Sequence, residues 1–239
     1  MIISEPLTRR CIAVIPARGG SKRIANKNIR AFAGRPLIEY AIELAQTSGL
    51  FERIVVSTDA PEIKEVALRA GVDVPFVRPA HLADDHAPTS PVFHHALEAV
   101  GAGDEFDYAC CIYPATPFTT ADDLRQGLAL LVDDGASSSM AVTTFAASVW
   151  RAFERREDNT LAMIWPEHRD TRSQDLPEAF HDAGQFYWVP VQQFLQDPVL
   201  FSAQTRGVVY ERWRAHDIDT NEDWTHAEMI FRSIRKDQP

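Results

Sequence analysis

Cysteine is scarce in this chain, and so are the patterns that would make it reactive. The three thiols, Cys11, Cys110 and Cys111, lie in apolar segments. The adjacent pair would point to opposite faces of a strand, and all three read as buried thiols. No histidine is placed beside them, so a reactive-thiol role has no support. His94 and His95 fall on an expected helix and His216 adjoins two aspartates. Without Cys or His ligands at regular spacing, zinc is not expected. No run of eighteen apolar residues occurs, and residues 1–10 carry a proline and charges in place of an apolar signal core. Membrane insertion and secretion are therefore not expected, and a cytoplasmic location is. Basic residues are in the minority, 24 against 34 acidic ones, for a formal net charge of −10. Nonspecific nucleic-acid binding rests on many Lys and Arg contacts to phosphate, so nucleic acid is not an expected partner.

Several signatures are missing as well. There is no Gly-x-x-x-x-Gly-Lys-Ser/Thr and no Gly-x-Gly-x-x-Gly, so neither a P-loop NTPase nor a dinucleotide fingerprint is supported. The absence of a Gly-x-Ser-x-Gly elbow argues against a covalent hydrolase. What remains is a chain of 239 residues, 45% hydrophobic and 24% charged. That suits one soluble globular core, with residues 1–239 as a single domain.

Against this acidic background a basic loop stands out. Residues 11–15 form an apolar run that reads as a buried strand, followed by Ile15-Pro16-Ala17-Arg18-Gly19-Gly20-Ser21-Lys22-Arg23-Ile24-Ala25-Asn26-Lys27-Asn28. Gly19 and Gly20 can take positive φ and let backbone N–H groups approach an anion, while Arg18, Lys22, Arg23 and Lys27 supply charge. Such a loop at a strand end is built to hold a polyphosphate. The plainer alternative is a solvated basic loop whose glycines only turn the chain.

The spacing then predicts a helix over 36–45 stopped by Gly49, a strand over 54–57, and a helix over 61–70 opened by Pro61 and closed by Gly71. A short strand at 74–77, a loop at 78–90, a helix from about 91, a strand at 108–113 and a helix over 121–132 follow. Alternating strands and helices imply an α/β fold with a mostly parallel sheet and helices on both faces. Ligands in such sheets sit beyond the carboxyl ends of the strands, where the Arg18 loop, Asp59, the Arg78 loop and the Tyr113 loop would emerge. Beyond residue 140 the pattern changes. Strands are expected over 140–145 and within 153–165, the latter around the charged, turn-prone stretch 154–159, and together they suggest a projecting hairpin. Strands over 185–189 and 208–210 and a helix over 221–234, capped by Thr220 or Asn221, complete the reading.

Asp217-Ile218-Asp219 follows an expected strand, and period-two alternation turns both carboxylates to one side. Two carboxylates with substrate phosphates and water make a Mg²⁺ site. Alternatively, Asp219 and Asp223 serve only a helix N-terminus. Gln185-Phe186-Tyr187 offers amide, hydroxyl and aromatic groups to a polyhydroxylated ligand, although by itself it reads as a core strand behind a polar loop.

Taken together, these residues resemble the cytidylyltransferases that activate nonulosonic acids, the CMP-sialic acid synthetase family. Residues 15–28 are similar to that family's Ile-Pro-Ala-Arg-x-x-Ser-Lys-x-Ile-x-x-Lys-Asn pattern, and the likeness continues through Ser57-Thr58-Asp59, Arg78-Pro79-Ala80, the loop 113–118 and Asp217-Ile218-Asp219-Thr220. Asp84-Asp85-His86, Cys110-Cys111-Ile112-Tyr113, 171–176 and 181–188 look most like the pseudaminic acid branch. The resemblance implies a Rossmann-like nucleotidyltransferase fold of the glycosyltransferase-A type. It implies that Arg18, Ser21, Lys22, Lys27 and Asn28 line the CTP phosphates and ribose. Arg78 and Thr89 would meet cytosine, and Asp217 and Asp219 would hold Mg²⁺. Tyr113, Gln185 and Tyr187 would contact a nine-carbon sugar acid. Arg18, Lys27, Asp217 and Asp219 would carry the catalysis. The excursion 146–170 is apolar at Val149, Trp150, Phe153, Leu161, Met163, Ile164 and Trp165 and too small to bury them alone, so a homodimer is expected unless the hairpin folds back on its own sheet; the resemblance points to the dimer as well, with Arg172 reaching the neighbouring site. The sialic acid branch commonly has glutamine where Tyr113 stands, and many members have proline where Ala25 stands. Relatives acting on N-acetylneuraminate, legionaminate or the eight-carbon 3-deoxy-octulosonate are the enzymatic alternatives. A nucleotide-binding protein without transferase activity is the alternative of another class.

Overall fold

The computed structural model describes residues 9–236, so the reading of residues 1–8 lies outside the described part. Strand β1 (Cys11–Pro16) is followed by the two short strands β2 (Ala31–Phe32) and β3 (Arg35–Pro36), then α1 (Leu37–Ser48), β4 (Arg53–Ser57) and α2 (Pro61–Arg69). Next come α3 (Thr89–Ala99), α4 (Ala102–Glu105), β5 (Tyr108–Ile112), α5 (Ala121–Val132) and β6 (Ser138–Thr144). The hairpin strands β7 (Phe153–Arg155) and β8 (Leu161–Met163) precede β9 (Phe180–Pro190), α6 (Val191–Gln196), β10 (Thr205–Tyr210) and α7 (Asn221–Lys236). Local chemistry sets the boundaries. Gly49 closes α1 in the left-handed region at φ 71, which costs glycine no Cβ clash, and Pro61 sits in the first turn of α2, where a missing N–H is harmless. Thr120 and Asp123 cap α5 reciprocally.

The main sheet has six strands in the order β10-β6-β9-β5-β1-β4. All neighbours are parallel except β9, which runs antiparallel to both β5 and β6. Alternation along the strands divides the core. Cys11, Ala13 and Ile15 face one cluster with residues of α1, α2 and α5, while Ile12 and Val14 face another with residues of α3 and α6. Cys110 and Cys111 part in the same way, and all three cysteines are free and buried. A third cluster joins Ile24, Phe32, Leu37, Tyr40, Phe118 and Ile218 to Trp224 and Phe231 of α7. It fixes the C-terminal helix beside the loop that follows β1.

The structure departs from the sequence reading in four places. The expected strand at 74–77 is absent, and one parallel bridge between Val55 and Asp73 stands there instead. Pro75 lies within that stretch and Pro79 two residues past it, and neither can donate to a ladder. Helix α3 starts at Thr89, two residues before Pro91. Residues 181–184, expected as a loop, belong to β9; there the register slips from Met140↔Tyr187 to Val142↔Asp182, and Gly184 takes φ 61. This bulge carries Gly184 to the edge of the cleft described below. Finally, residues 217–219 lie in irregular backbone, although burial still alternates across Ile218.

Close packing of α5 on the sheet leaves no room at Gly127, where an added Cβ would lie 2.7 Å from Cδ1 of Trp188 and 2.8 Å from Cε2 of Phe186. Both rings are fully buried. Gly127→Val is therefore expected to lower unfolding stability by about 2–3 kcal/mol through overpacking. Urea denaturation checks this, and an unchanged midpoint and slope would contradict the packing described here.

Candidate active site

The loop after β1 is held from below by its backbone N–H groups, which donate to the last residue of β4 and to the side chain of Asp59. The Ala17 N–H donates to the Ser57 carbonyl at 2.9 Å, and the Gly19 N–H donates to Oδ1 of Asp59 at 3.0 Å. Asn28, buried, donates from Nδ2 to the Arg18 carbonyl at 3.0 Å and closes the loop on itself. Neither Gly19 nor Gly20 has positive φ; the left-handed residue is Asn26, at φ 52. Glycine at 19 answers instead to proximity, since a Cβ there would stand 2.7 Å from Cβ of Ala60. Asp59 thus anchors the loop.

Above this floor lies an open cleft of about 630 Å³ at the carboxyl ends of β1 and β5. Arg18, Ser21, Lys22, Lys27 and Asn28 line one side; Arg78, Thr89 and Tyr113 line another; Asp217 and Asp219 close the third. Of the expected site residues, these ten meet in one place. Gln185 and Tyr187 are buried behind the wall and Arg172 is elsewhere. Gln185 accepts from Oγ1 of Thr119 at 3.2 Å and donates to the Ala183 carbonyl at 2.7 Å, so it braces the bulge. The Tyr187 hydroxyl donates to Oδ2 of Asp182 at 2.5 Å, and its ring meets Tyr113 edge-on at 5.4 Å between centroids. Arg172 sits on the exposed excursion, paired with Asp175 at 2.6 Å. The cleft also includes Arg23, read from the sequence as one of the loop's charges, and residues the sequence left without a role, namely Leu82, Asp85, Gly184 and His216. Asp85 belonged to a motif resemblance with no chemistry attached. His216 could have been found from its place next to Asp217.

The electrostatics are specific. Lys27, 18% exposed, places Nζ 3.2 Å from Oδ1 of Asp219, and Nη2 of Arg23 lies 2.8 Å from Oδ2 of the same carboxylate. Arg18 and Lys22 both pair with Asp85. Arg78 is clamped to the end of β4, donating from Nε to Oγ of Ser57 at 3.1 Å, and burial lowers its pKa to about 10, which leaves it cationic at neutral pH. Burial pushes Tyr113 up to about 12, so its hydroxyl stays protonated. Although Asp217 keeps solvent access, the cleft walls desolvate its carboxyl, and the neighbouring Asp219 charge adds to this, so its pKa lies above the usual range. Two like-charged carboxylates side by side, both hard oxygen donors, fit a divalent cation such as Mg²⁺. No group of three metal-ligating side chains occurs among the described residues, so substrate oxygens and water would complete the shell.

The comparisons with known proteins agree with this geometry. The cytidylyltransferase family model matches residues 12–231. The chain belongs to this family. The pseudaminic acid cytidylyltransferase of Campylobacter jejuni is 39% identical over 92% of this chain and 96% of its own length. The CMP-N,N'-diacetyllegionaminic acid synthase of Legionella pneumophila is 31% identical over 93% of this chain and 96% of its own. Among solved structures, CMP:2-keto-3-deoxy-manno-octonic acid synthetase complexed with CTP superposes with a TM-score of 0.68 at 15% identity, covering 94% of this chain and 99% of that one, and so supports the nucleotidyltransferase fold.

The two readings of the acidic segment separate cleanly. Asp223 caps α7 with Thr220: the Thr220 N–H donates to Asp223 Oδ2 at 2.7 Å and the Asp223 N–H donates to Thr220 Oγ1 at 3.1 Å. Asp219 instead directs its side chain into the cleft. Thr220→Ala is expected to cost about 1 kcal/mol of stability. Asp219→Ala should cost less than half of that, roughly the worth of partly exposed ion pairs. Denaturant melts compare them, and the reverse order would return Asp219 to a capping role.

Proposed function

We propose that this cytidylyltransferase joins CMP to a nonulosonic acid, pseudaminic acid above all. The observation that carries the reading is the single cleft in which the cationic loop after β1 faces Asp217 and Asp219. The relative that is 39% identical over nearly its whole length supplies the substrate class. The anomeric hydroxyl oxygen of the sugar acid bonds to the α-phosphorus of CTP, the bond from that phosphorus to the β-phosphate oxygen breaks, and pyrophosphate departs. The hydroxyl proton passes to solvent. In this reading Arg18, Ser21, Lys22, Lys27 and Asn28 seat the phosphates and ribose, and Arg78 and Thr89 meet the base. Arg18 and Lys27 stabilise charge as it moves onto the leaving pyrophosphate. Tyr113 contacts the sugar acid directly, while Gln185 and Tyr187 hold that wall in shape. Mg²⁺ on Asp217 and Asp219 would supply Lewis-acid polarisation of the phosphate oxygens. A cytoplasmic setting fits a CTP-consuming enzyme, and no helix among the described residues is long and apolar enough to cross a membrane.

Retention of both cleft carboxylates favours catalysis over nucleotide binding alone. Purified protein should release pyrophosphate from CTP only with a nonulosonic acid and a divalent cation, and with larger kcat/KM for pseudaminate than for N-acetylneuraminate. Asp217→Ala and Asp219→Ala should each lower kcat about 10²- to 10³-fold. Undiminished turnover in excess chelator, or no turnover with any acid of a panel, refutes the catalytic reading; a preference for N-acetylneuraminate moves the substrate to the sialic acid branch.

The excursion supports a homodimer. Strands β7 and β8 pair only with each other, Trp150 packs edge-on to Trp165, and Phe153, Leu161 and Ile164 remain exposed. A two-stranded ribbon cannot bury such residues alone, and a second copy would. Arg172, at its base and outside this subunit's cleft, would then serve the partner's sugar acid. Sedimentation should show a dimer at assay concentrations. Mixing Arg172→Ala with Asp219→Ala chains should restore activity above either variant alone, whereas no recovery would contradict a shared site.

A further inference from the structure

Asp85 comes from the stretch between Pro79 and Pro88 that forms one wall of the cleft, where Leu82, Asp84 and Ala87 also face the cavity. Its two carboxylate oxygens are divided between two cations of the phosphate loop, Oδ1 pairing with Nη1 of Arg18 and Oδ2 with Nζ of Lys22. A tetrahedral phosphate offers the same arrangement, two anionic oxygens a short span apart, to the same donors. The carboxylate is 22% exposed, so these contacts are only partly screened by water. Lys22 first and Arg18 next hold its carboxyl below the ordinary aspartate range, which keeps it anionic. Lys22 itself is 82% exposed. Among the described residues, its ammonium is drawn inward by this carboxylate. An Asx-type turn, in which the His86 N–H donates to Asp84 Oδ1 at 2.8 Å, presents Asp85 to the loop.

We propose that Asp85 is a positioning residue that stands in for a phosphate group in the free enzyme: it holds Arg18 and Lys22 at the phosphate subsite and is exchanged for nucleotide or pyrophosphate oxygens on binding. This rests on the nucleotide site proposed above. The exchange has two consequences. Binding of CTP gives up two ion pairs already formed, so affinity is lower than four loop cations would otherwise provide. Departure of pyrophosphate is helped, because the carboxylate returns to the cations as the product leaves. A group that merely braced the fold would do neither.

The test is isothermal titration of the full chain with CTP and, separately, with inorganic pyrophosphate, comparing wild type with Asp85→Asn in the presence of Mg²⁺. Asn keeps the size and the turn but not the charge. Loss of two partly exposed ion pairs should tighten both ligands by about three- to tenfold, and the gain should shrink at high salt. In turnover, KM for CTP should fall with no rise in kcat, and pyrophosphate should inhibit the variant at lower concentration. A Kd for CTP that is unchanged or larger in Asp85→Asn, with a melting temperature within a degree or two of wild type, overturns the proposal. Should the variant be unstable, Asp85→Ser and a salt titration of wild-type pyrophosphate binding decide in the same way. If neither chain binds CTP or pyrophosphate, the nucleotide site and this inference fall together; tight wild-type binding without a gain in the variant removes this inference alone.

Discussion

Four cations gathered around one anion site repel one another, and the structure resolves this with two carboxylates, each shared by two cations. Asp85 takes Arg18 and Lys22, and Asp219 takes Arg23 and Lys27. Much of the remaining architecture follows from the second of these. Lys27 and Asp219 are 192 residues apart in sequence, so the pair forms only when α7 is docked against the loop that follows β1. The third core cluster performs that docking: Ile24 from the loop and Ile218 from between the aspartates are both fully buried in it. Arg30 adds a cation–π contact 4.5 Å above Trp224 and a hydrogen bond to Asn221 at 2.6 Å. Hydrophobic burial therefore aligns the charged groups, and the charges need contribute little to stability to be held where they act.

A second, more deeply set ion pair fixes the segment that leads to the aspartates. Arg214 and Asp123 pair with 15% and 7% of their side chains exposed, and Arg214 also donates to the Phe118 carbonyl at 3.1 Å and lies 4.4 Å over the ring of Tyr210. Asp123 is at the same time half of the capping box of α5. Charges this well desolvated are stabilising only when every partner is present, and removal of one leaves the other uncompensated. The pair thus ties the N-terminus of α5 to residues 211–216, and through them to the side of the cleft where Asp217 stands.

What could be read from the sequence follows from how local each feature is. The strand β1, its cationic loop, and helices α1, α2 and α5 carry their own boundary signals, and the structure keeps them nearly residue for residue. The paired aspartates were also legible, because burial of Ile218 between them needs only alternation. Position 74–77 misled because its valines are strand-like while Pro75, which cannot donate to a ladder, carries the decision. Gln185 and Tyr187 have the polarity of ligand-binding groups, yet they point into the core and satisfy Thr119, Ala183 and Asp182. Period-two alternation cannot say which face of an eleven-residue strand with a bulge meets the ligand. Asp85 was hidden for another reason. An acid near a phosphate loop looks unfavourable until the loop's unbalanced positive charge is seen in three dimensions.

The two halves of the cleft are built with different rigidity, and this bears on how one fold serves several sugar acids. The phosphate side is tied by the Ala17 N–H to the Ser57 carbonyl, by the Gly19 N–H to the Asp59 carboxylate and by Asn28 across the loop, leaving little freedom for variation. Such fixed donors suit a triphosphate, which is common to every reaction of this kind. The opposite side consists of the bulge at Gly184 and of Tyr113, backed by Tyr187 in edge-on contact. Changes there alter the shape offered to the acceptor without disturbing the cations. Variation in the shape offered to an acceptor is thus open mainly in the part of the cleft least tied to the loop that follows β1.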